Sequence, residues 1–283
     1  MSTAWTIARH TFRECARRRL LIVVPIATVG FIALYALGNH FAFRSSSGIT
    51  SSEMIDAQAL RGASLLGLSM FVTLFLASSL GIFLTFSAVR GDAETGVLQQ
   101  LVVRPVARSG LLLGRFIGAA IVCSIYVGFL YSSSVLITGW TGGWWPVSVV
   151  LPGLTLLGGV IVVIGLTLLV SVFLPALPTG IVMFMVYGAG LLAGLLGQLG
   201  EGLDSPTLET IGKVVSWAFP FEALYQAGLD LLTRGTTGLT RVIVQLGPLG
   251  GAESGGRVLV LWSLGYVAAV GATALFAFTR RDL

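Results

Sequence analysis

The chain has 283 residues, of which 55% are apolar and only 10% are charged, against roughly 25% charged residues in an ordinary soluble domain. This composition and the mean hydropathy of +0.93 predict an integral membrane protein rather than a soluble one. The formal net charge of +5 does not indicate nucleic-acid binding, because the arginines lie at the ends of apolar runs.

Residues 1–19 predict an amphipathic helix on the membrane surface. At helical spacing Trp5 and Phe12 share an apolar face, and Arg13 with other basic residues occupies the remainder. Such a helix lies in the interface with its aromatic side chains buried. The alternative, a basic flank that only orients the first crossing, is compatible with it. We expect the following apolar run to be retained as a membrane helix, because it does not end in the manner of a signal peptide.

Six apolar runs are long enough to span a bilayer core of about 30 Å. They are approximately Leu20–Leu37, Ser64–Val89, Leu111–Thr138, Val147–Leu174, Thr179–Leu199 and Val258–Phe278. Eleven of the seventeen basic residues flank these runs on the side that carries both chain ends. The positive-inside rule therefore predicts that both termini and the second connection face the cytoplasm.

The connection over residues 90–110 is the densest polar stretch and predicts a short cytoplasmic helix. Asp92 can cap its start, Glu94 places negative charge in the first turn, and Arg104 places positive charge at the end. Pro105 ends the helix. Three apolar residues share one face: Leu98, Leu101 and Val102. That face lies on lipid headgroups or docks into another protein, and the residues alone leave both open.

This stretch resembles the first cytoplasmic loop of the permease subunits of type-2 ABC exporters. In that family an acidic, glycine-containing segment leads into a coupling helix, then an Arg-Pro or similar pair, then a Leu-Leu-Leu-Gly-Arg-Phe type entry to the third membrane helix. Here those elements run from Asp92 to Gly118. The membrane pattern of all 283 residues and the Phe-Thr-Arg-Arg-Asp-Leu ending agree with the family. The general resemblance is closest to permeases of nitrous-oxide-reductase maturation and to bacterial drug-efflux permeases.

The resemblance implies a single all-α transmembrane domain over residues 1–283. It would have six membrane helices, an N-terminal elbow helix over residues 1–19 and a coupling helix between the second and third membrane helices. It implies ATPase coupling through the Asp92–Arg104 helix, and export as the direction of transport. A re-entrant or interfacial segment would precede the sixth membrane helix.

The extracytoplasmic segment over residues 200–257 predicts a re-entrant or interfacial helical pair. Its apolar middle, Ile211–Leu232, is broken by Pro220 and carries a carboxylate at Glu222. A seventh crossing would place the C-terminal arginines outside, against the positive-inside rule. We interpret Pro220, Phe221 and Glu222 as candidates for an extracytoplasmic gate. The alternative for Glu222 is a solvated surface carboxylate.

Glycines at a spacing of four indicate places where membrane helices approach closely. One such pair is Gly190 and Gly194, and a second series begins at Gly110. Because the chain has 37 glycines, some of these pairs arise by chance.

The sequence contains no motif that would make the chain itself an enzyme. It has no GxxxxGK[ST] phosphate-binding loop, so ATP hydrolysis would have to come from another polypeptide. Two cysteines and two histidines give no recognisable metal site, and we expect no cofactor in this chain. Carboxylates are nearly absent at mid-membrane, which disfavours a proton- or sodium-coupled carrier.

The resemblance implies two ABC ATPase subunits that bind ATP and magnesium, a second permease copy or a sister permease, and membrane lipid as partners. It does not imply nucleic acid. The alternative functions are a non-transporting membrane scaffold or assembly factor and, third, a small secondary carrier. The substrate stays open between amphiphilic drugs or lipids and a small sulfur or copper species.

Overall fold

The computed structural model describes residues 20–44, 57–87, 108–203, 205–234 and 256–280. Eight helices account for nearly all of this part of the chain, and it contains no strand. The helices are α1 (Leu20–Arg44), α2 (Ala57–Thr85), α3 (Arg108–Gly142), α4 (Val150–Phe173), α5 (Ala176–Gly202), α6 (Pro206–Ala218), α7 (Pro220–Thr233) and α8 (Gly256–Arg280).

Six of these helices, α1 to α5 and α8, are long and apolar enough to cross a membrane. The predicted all-helical class and the six membrane helices are therefore confirmed. All of these helices except α4 are longer than predicted. For example, α1 continues past Leu37 to Arg44, and α2 begins at Ala57 rather than Ser64. Polar residues end the apolar run of α1 but not the helix. Asn39 is fully buried there, and its side-chain amide donates a hydrogen bond to the Tyr35 carbonyl one turn earlier.

The central helix of the bundle is α4, which packs against α2, α3, α5, α7 and α8. Its residues Leu156, Val160 and Ile164 are fully buried, and Leu74 of α2 belongs to the same core. By contrast, α1 and α8 expose most of their apolar surface, as expected for helices that face lipid or another membrane protein.

The six long helices alternate in direction and so define two ends of the bundle. We call the end that carries Leu20, the Phe173–Ala176 turn and Arg280 the termini end, and the other the hairpin end. Two hydrogen bonds tie the parallel helices α1 and α3. The Thr28 and Tyr126 hydroxyl oxygens lie 2.8 Å apart, and those of Tyr35 and Thr138 lie 2.6 Å apart.

The helices α6 and α7 form a hairpin that turns back into the bundle, as the sequence predicts. The α6 helix ends where the Phe219 backbone N–H donates to the Val215 carbonyl at 2.8 Å. Pro220 is the first residue of α7, a position that suits proline because its missing N–H is not needed there. The predicted break at Pro220 is confirmed.

Candidate functional site

The α7 helix is buried on nearly all sides although it has only 14 residues. It lies among α2, α4, α5, α6 and α8. Its buried residues are Pro220, Phe221, Glu222, Leu224, Tyr225, Gln226, Ala227, Gly228, Leu229, Asp230, Leu232 and Thr233. A short helix enclosed in this way keeps its polar groups away from lipid, which makes irregular backbone at membrane depth tolerable.

The α6–α7 hairpin reaches far into the bundle. Phe221 lies beside Gly159 of α4 and Gly190 of α5. At 1.5 Å per helical residue, Gly159 is about 14 Å from the start of α4, and Gly190 is about 18 Å from the end of α5. These distances are roughly half of a bilayer core of about 30 Å. The turn at Phe219–Pro220 is therefore near the middle of the bundle.

Glycines of α5 make room for the first turn of α7. A Cβ added at Gly190 would lie 2.9 Å from Cε2 of Phe221, and one at Gly194 would lie 2.5 Å from the Glu222 carboxyl carbon. Both distances are shorter than real Cβ contacts. The prediction that this glycine pair lets a helix approach closely is confirmed, and the helix that approaches is α7.

Glu222 is buried, with 5% of its surface exposed. One of its carboxylate oxygens accepts a hydrogen bond from the Gln226 side-chain amide, one turn further along α7. The alternative of a solvated surface carboxylate is therefore wrong, because α7 lies inside the bundle and not on its surface. The Glu222 carboxyl group lies in the first turn of α7, at the positive end of the helix dipole, which favours the ionised form.

Aromatic side chains of neighbouring helices pack against the first two turns of α7, at Phe221 and Tyr225. The Phe221 ring stacks on Tyr187 of α5 with centroids 5.3 Å apart and an interplanar angle of 15°. The Tyr225 ring meets Phe71 of α2 edge-on at 6.1 Å, and its hydroxyl donates to the Gly67 carbonyl at 3.4 Å. Sequence reasoning missed Tyr187 and Tyr225. In the sequence, each is a tyrosine within an apolar run, and this pattern does not show which side chain the tyrosine contacts.

The far end of α7 returns to the hairpin end of the bundle. There the buried Asp230 accepts hydrogen bonds from the Arg234 guanidinium at 3.2 Å. The Arg234 side chain is 57% exposed, whereas that of Asp230 is 3% exposed. The α7 helix therefore runs from a buried first turn to a charged last turn at the surface of the bundle.

The remaining predicted site residues lie outside the described residues. These are the coupling residues Asp92, Glu94, Leu98, Leu101, Val102, Arg104 and Pro105, and the elbow residues Trp5, Phe12 and Arg13. Their roles stay predictions. Within the described ranges, no group of three or more His, Cys, Asp or Glu side chains could hold a metal ion.

Six spanning helices, with the short buried helix α7 before the last of them, define a multi-pass membrane protein. The family described as "ABC-2 family transporter protein" matches residues 5–283, so the chain belongs to that family of transporter membrane subunits. This is the family that the connection over residues 90–110 resembles.

Two curated proteins are similar to part of the chain, and both carry the name "Probable ABC transporter permease protein NosY". The protein from Pseudomonas aeruginosa is 27% identical over 136 residues, which are 48% of this chain and 46% of that protein. The protein from Stutzerimonas stutzeri is 28% identical over 127 residues, 45% of this chain and 42% of that protein. The matched region spans less than half the length of these relatives.

Proposed function

We propose that the chain is the permease subunit of an ATP-driven exporter in a bacterial inner membrane. A second copy or a sister permease would complete the pathway, and two separate ATPase subunits would bind ATP and magnesium. The observation that carries this proposal is the family match over residues 5–283, which includes both the coupling segment and the hairpin. Similarity to two proteins named as ABC transporter permeases supports it.

The coupling segment supplies the contact with the ATPase. Leu98, Leu101 and Val102 fill an apolar cleft of the ATPase, and Glu94 and Arg104 set the register by charge. This orientation requires the termini end to face the cytoplasm, which the excess of arginines on that side supports.

The described helices offer a route from that end to the hairpin. The α3 helix begins at Arg108, immediately after the coupling segment, and packs on α1, α2 and α4. The α5 helix begins at the same end and contacts both α6 and α7. A displacement of the coupling segment acts on the ends of α2 and α3, and α4 and α5 carry it to the hairpin.

The first turn of α7 acts as the extracytoplasmic gate. Pro220, Phe221 and Glu222 lie where the hairpin turns, halfway along the bundle, and α5 holds two of them through Gly190 and Gly194. ATP binding favours one arrangement of the permease pair over the other. The gate therefore opens through a shift in population between packed states.

Co-purification of the tagged chain with its ATPase tests the coupling assignment. Leu101→Asp should abolish recovery of the ATPase, because a carboxylate would be buried in an apolar cleft. Gln100→Asp is the matched control and should leave recovery unchanged, since helical spacing predicts residue 100 on the opposite face of the coupling helix. Both variants count as inserted in the membrane if detergent is needed to extract them.

Equal recovery of the ATPase with both variants would contradict the docking assignment. Recovery of a partner that does not hydrolyse ATP would favour the scaffold function. Flux that needs an ion gradient and no ATP would favour the secondary carrier. Export is tested in inside-out membrane vesicles that contain the complex. In these vesicles ATP should drive uptake of the transported substrate into the vesicle lumen.

A further inference from the structure

Arg61 is a partly buried cation at the hairpin end of α2. Three carboxylates have described side chains, and each is bonded elsewhere. Glu209 pairs with Lys213, Asp230 with Arg234, and Glu222 accepts from Gln226. Arg61 thus has no carboxylate partner among the described residues. A cation withdrawn from water is costly unless an anion compensates it.

Below Arg61, one face of α2 is apolar and partly exposed. Leu65, Leu68, Val72 and Phe75 follow Arg61 at intervals of three or four residues, so they share its side of the helix. Leu68 and Phe75 are each more than 40% exposed. From Arg61 to Phe75 this stripe is about 21 Å long, which exceeds the depth of about 15 Å of one leaflet's hydrocarbon.

An indole ring lies at the level of Arg61. Trp144 packs against Gly62, the next residue of α2, where an added Cβ would lie 2.5 Å from the Trp144 ring carbon Cε3. Gly143 allows this approach through its left-handed backbone, with φ of 64°. Tryptophans concentrate at the level of lipid headgroups, so Arg61 is at the depth at which a phosphate would be found.

We propose that this α2 face binds an anionic phospholipid. Its phosphate contacts the Arg61 guanidinium, and one acyl chain lies along Leu65, Leu68, Val72 and Phe75. Arginine suits a phosphate because its planar fork donates two parallel hydrogen bonds. A second copy of the chain fits this face less well. A two-fold contact through it would bring two Arg61 side chains towards the same axis, where like charges repel.

The test uses the full chain in nanodiscs, without the ATPase, so its result is independent of the proposed transport function. Discs of phosphatidylcholine alone are compared with discs that also contain phosphatidylglycerol. Native mass spectrometry counts the phosphatidylglycerol retained after release from the disc, and the unfolding temperature is measured in both. The wild type should retain the anionic lipid and unfold at a higher temperature with it.

Arg61→Gln should weaken phosphatidylglycerol binding about fivefold and reduce the shift in unfolding temperature, since one cation near the membrane surface contributes this much to anionic-lipid binding. Lys213→Gln is the charge-matched control at the same end, because Glu209 already neutralises that lysine. Arg61→Lys keeps the charge but not the planar fork, so it should keep more of the shift than Arg61→Gln does, which separates lipid binding from a folding defect.

Three results would overturn the proposal. One is an unfolding temperature of the wild type that does not depend on phosphatidylglycerol. Another is an equal shift on adding inorganic phosphate to phosphatidylcholine discs, which would identify a site for free phosphate. The third is disulfide-linked dimer formation by Arg61→Cys in the membrane, which would show that a second copy covers this face.

Discussion

Replacing Gly190 with alanine should destabilise the protein by driving α7 away from α5. The added Cβ would lie 2.9 Å from Cε2 of Phe221, and Phe221 cannot turn aside because it exposes only 1% of its surface and stacks on Tyr187. Gly188 is the matched control on the same helix, because a Cβ added there meets nothing within 4 Å.

The magnitude follows from two opposing contributions. Overpacking a well-packed interior costs about 1–3 kcal/mol, whereas Gly→Ala within a helix stabilises by about 0.5–1 kcal/mol. Gly188→Ala should therefore stabilise by up to about 1 kcal/mol. Because both variants share the helix contribution, the difference between them isolates the steric cost of about 1–3 kcal/mol.

The assay is reversible unfolding in mixed micelles by titration with sodium dodecyl sulfate, followed by far-ultraviolet circular dichroism. Equal free energies of unfolding for the two variants would refute the argument. Such a result would mean that Phe221 does not pack on Gly190, and that α7 is not held against α5 at this point.

Two further predictions concern the polar contacts of the bundle. Glu222→Ala should destabilise by about 1–3 kcal/mol, because it removes the acceptor of the buried Gln226 amide, whereas Glu222→Gln keeps an acceptor and should cost less in the same unfolding assay. Equal losses for the two variants would argue against that hydrogen bond. Tyr35→Phe and Thr138→Val should show a coupling free energy of about 0.6 kcal/mol in a double-mutant cycle, the average for hydrogen bonds between membrane helices. If the free-energy changes of the two single variants simply add up in the double variant, the hydrogen bond between α1 and α3 does not contribute to stability.

The membrane helices could be predicted because they depend on a local property. A run of apolar residues has no stable place other than the bilayer, so its length and position predict a spanning helix. The prediction failed only at boundaries such as that of α1, where Asn39 ends the run but bonds to Tyr35 within a helix that continues to Arg44. The break at Pro220 was also local, since proline cannot continue a helix from inside.

The contacts between helices could not be predicted in the same way. The spacing of Gly190 and Gly194 indicates a close approach but is silent on the partner, which is the first turn of α7. The glycine series that begins at Gly110 has the same spacing, yet a Cβ at Gly110 meets nothing within 4 Å. Which glycines matter depends on three-dimensional packing between residues far apart in the chain. One sequence does not contain that information in readable form.

The burial of a carboxylate at Glu222 has a local cause that precedes any function. A helix that begins inside the bundle exposes backbone N–H groups that no preceding turn can satisfy. Phe219, at the N-cap of α7, provides no side-chain hydrogen bond. An acidic residue in the first turn, when ionised, compensates the positive end of the helix dipole instead. Stability alone therefore favours an acidic residue near position 222, and a gating role adds a separate requirement. If Glu222 has a gating role, Glu222→Gln should change the transport rate per folded complex. The change should be larger than the loss of stability alone explains.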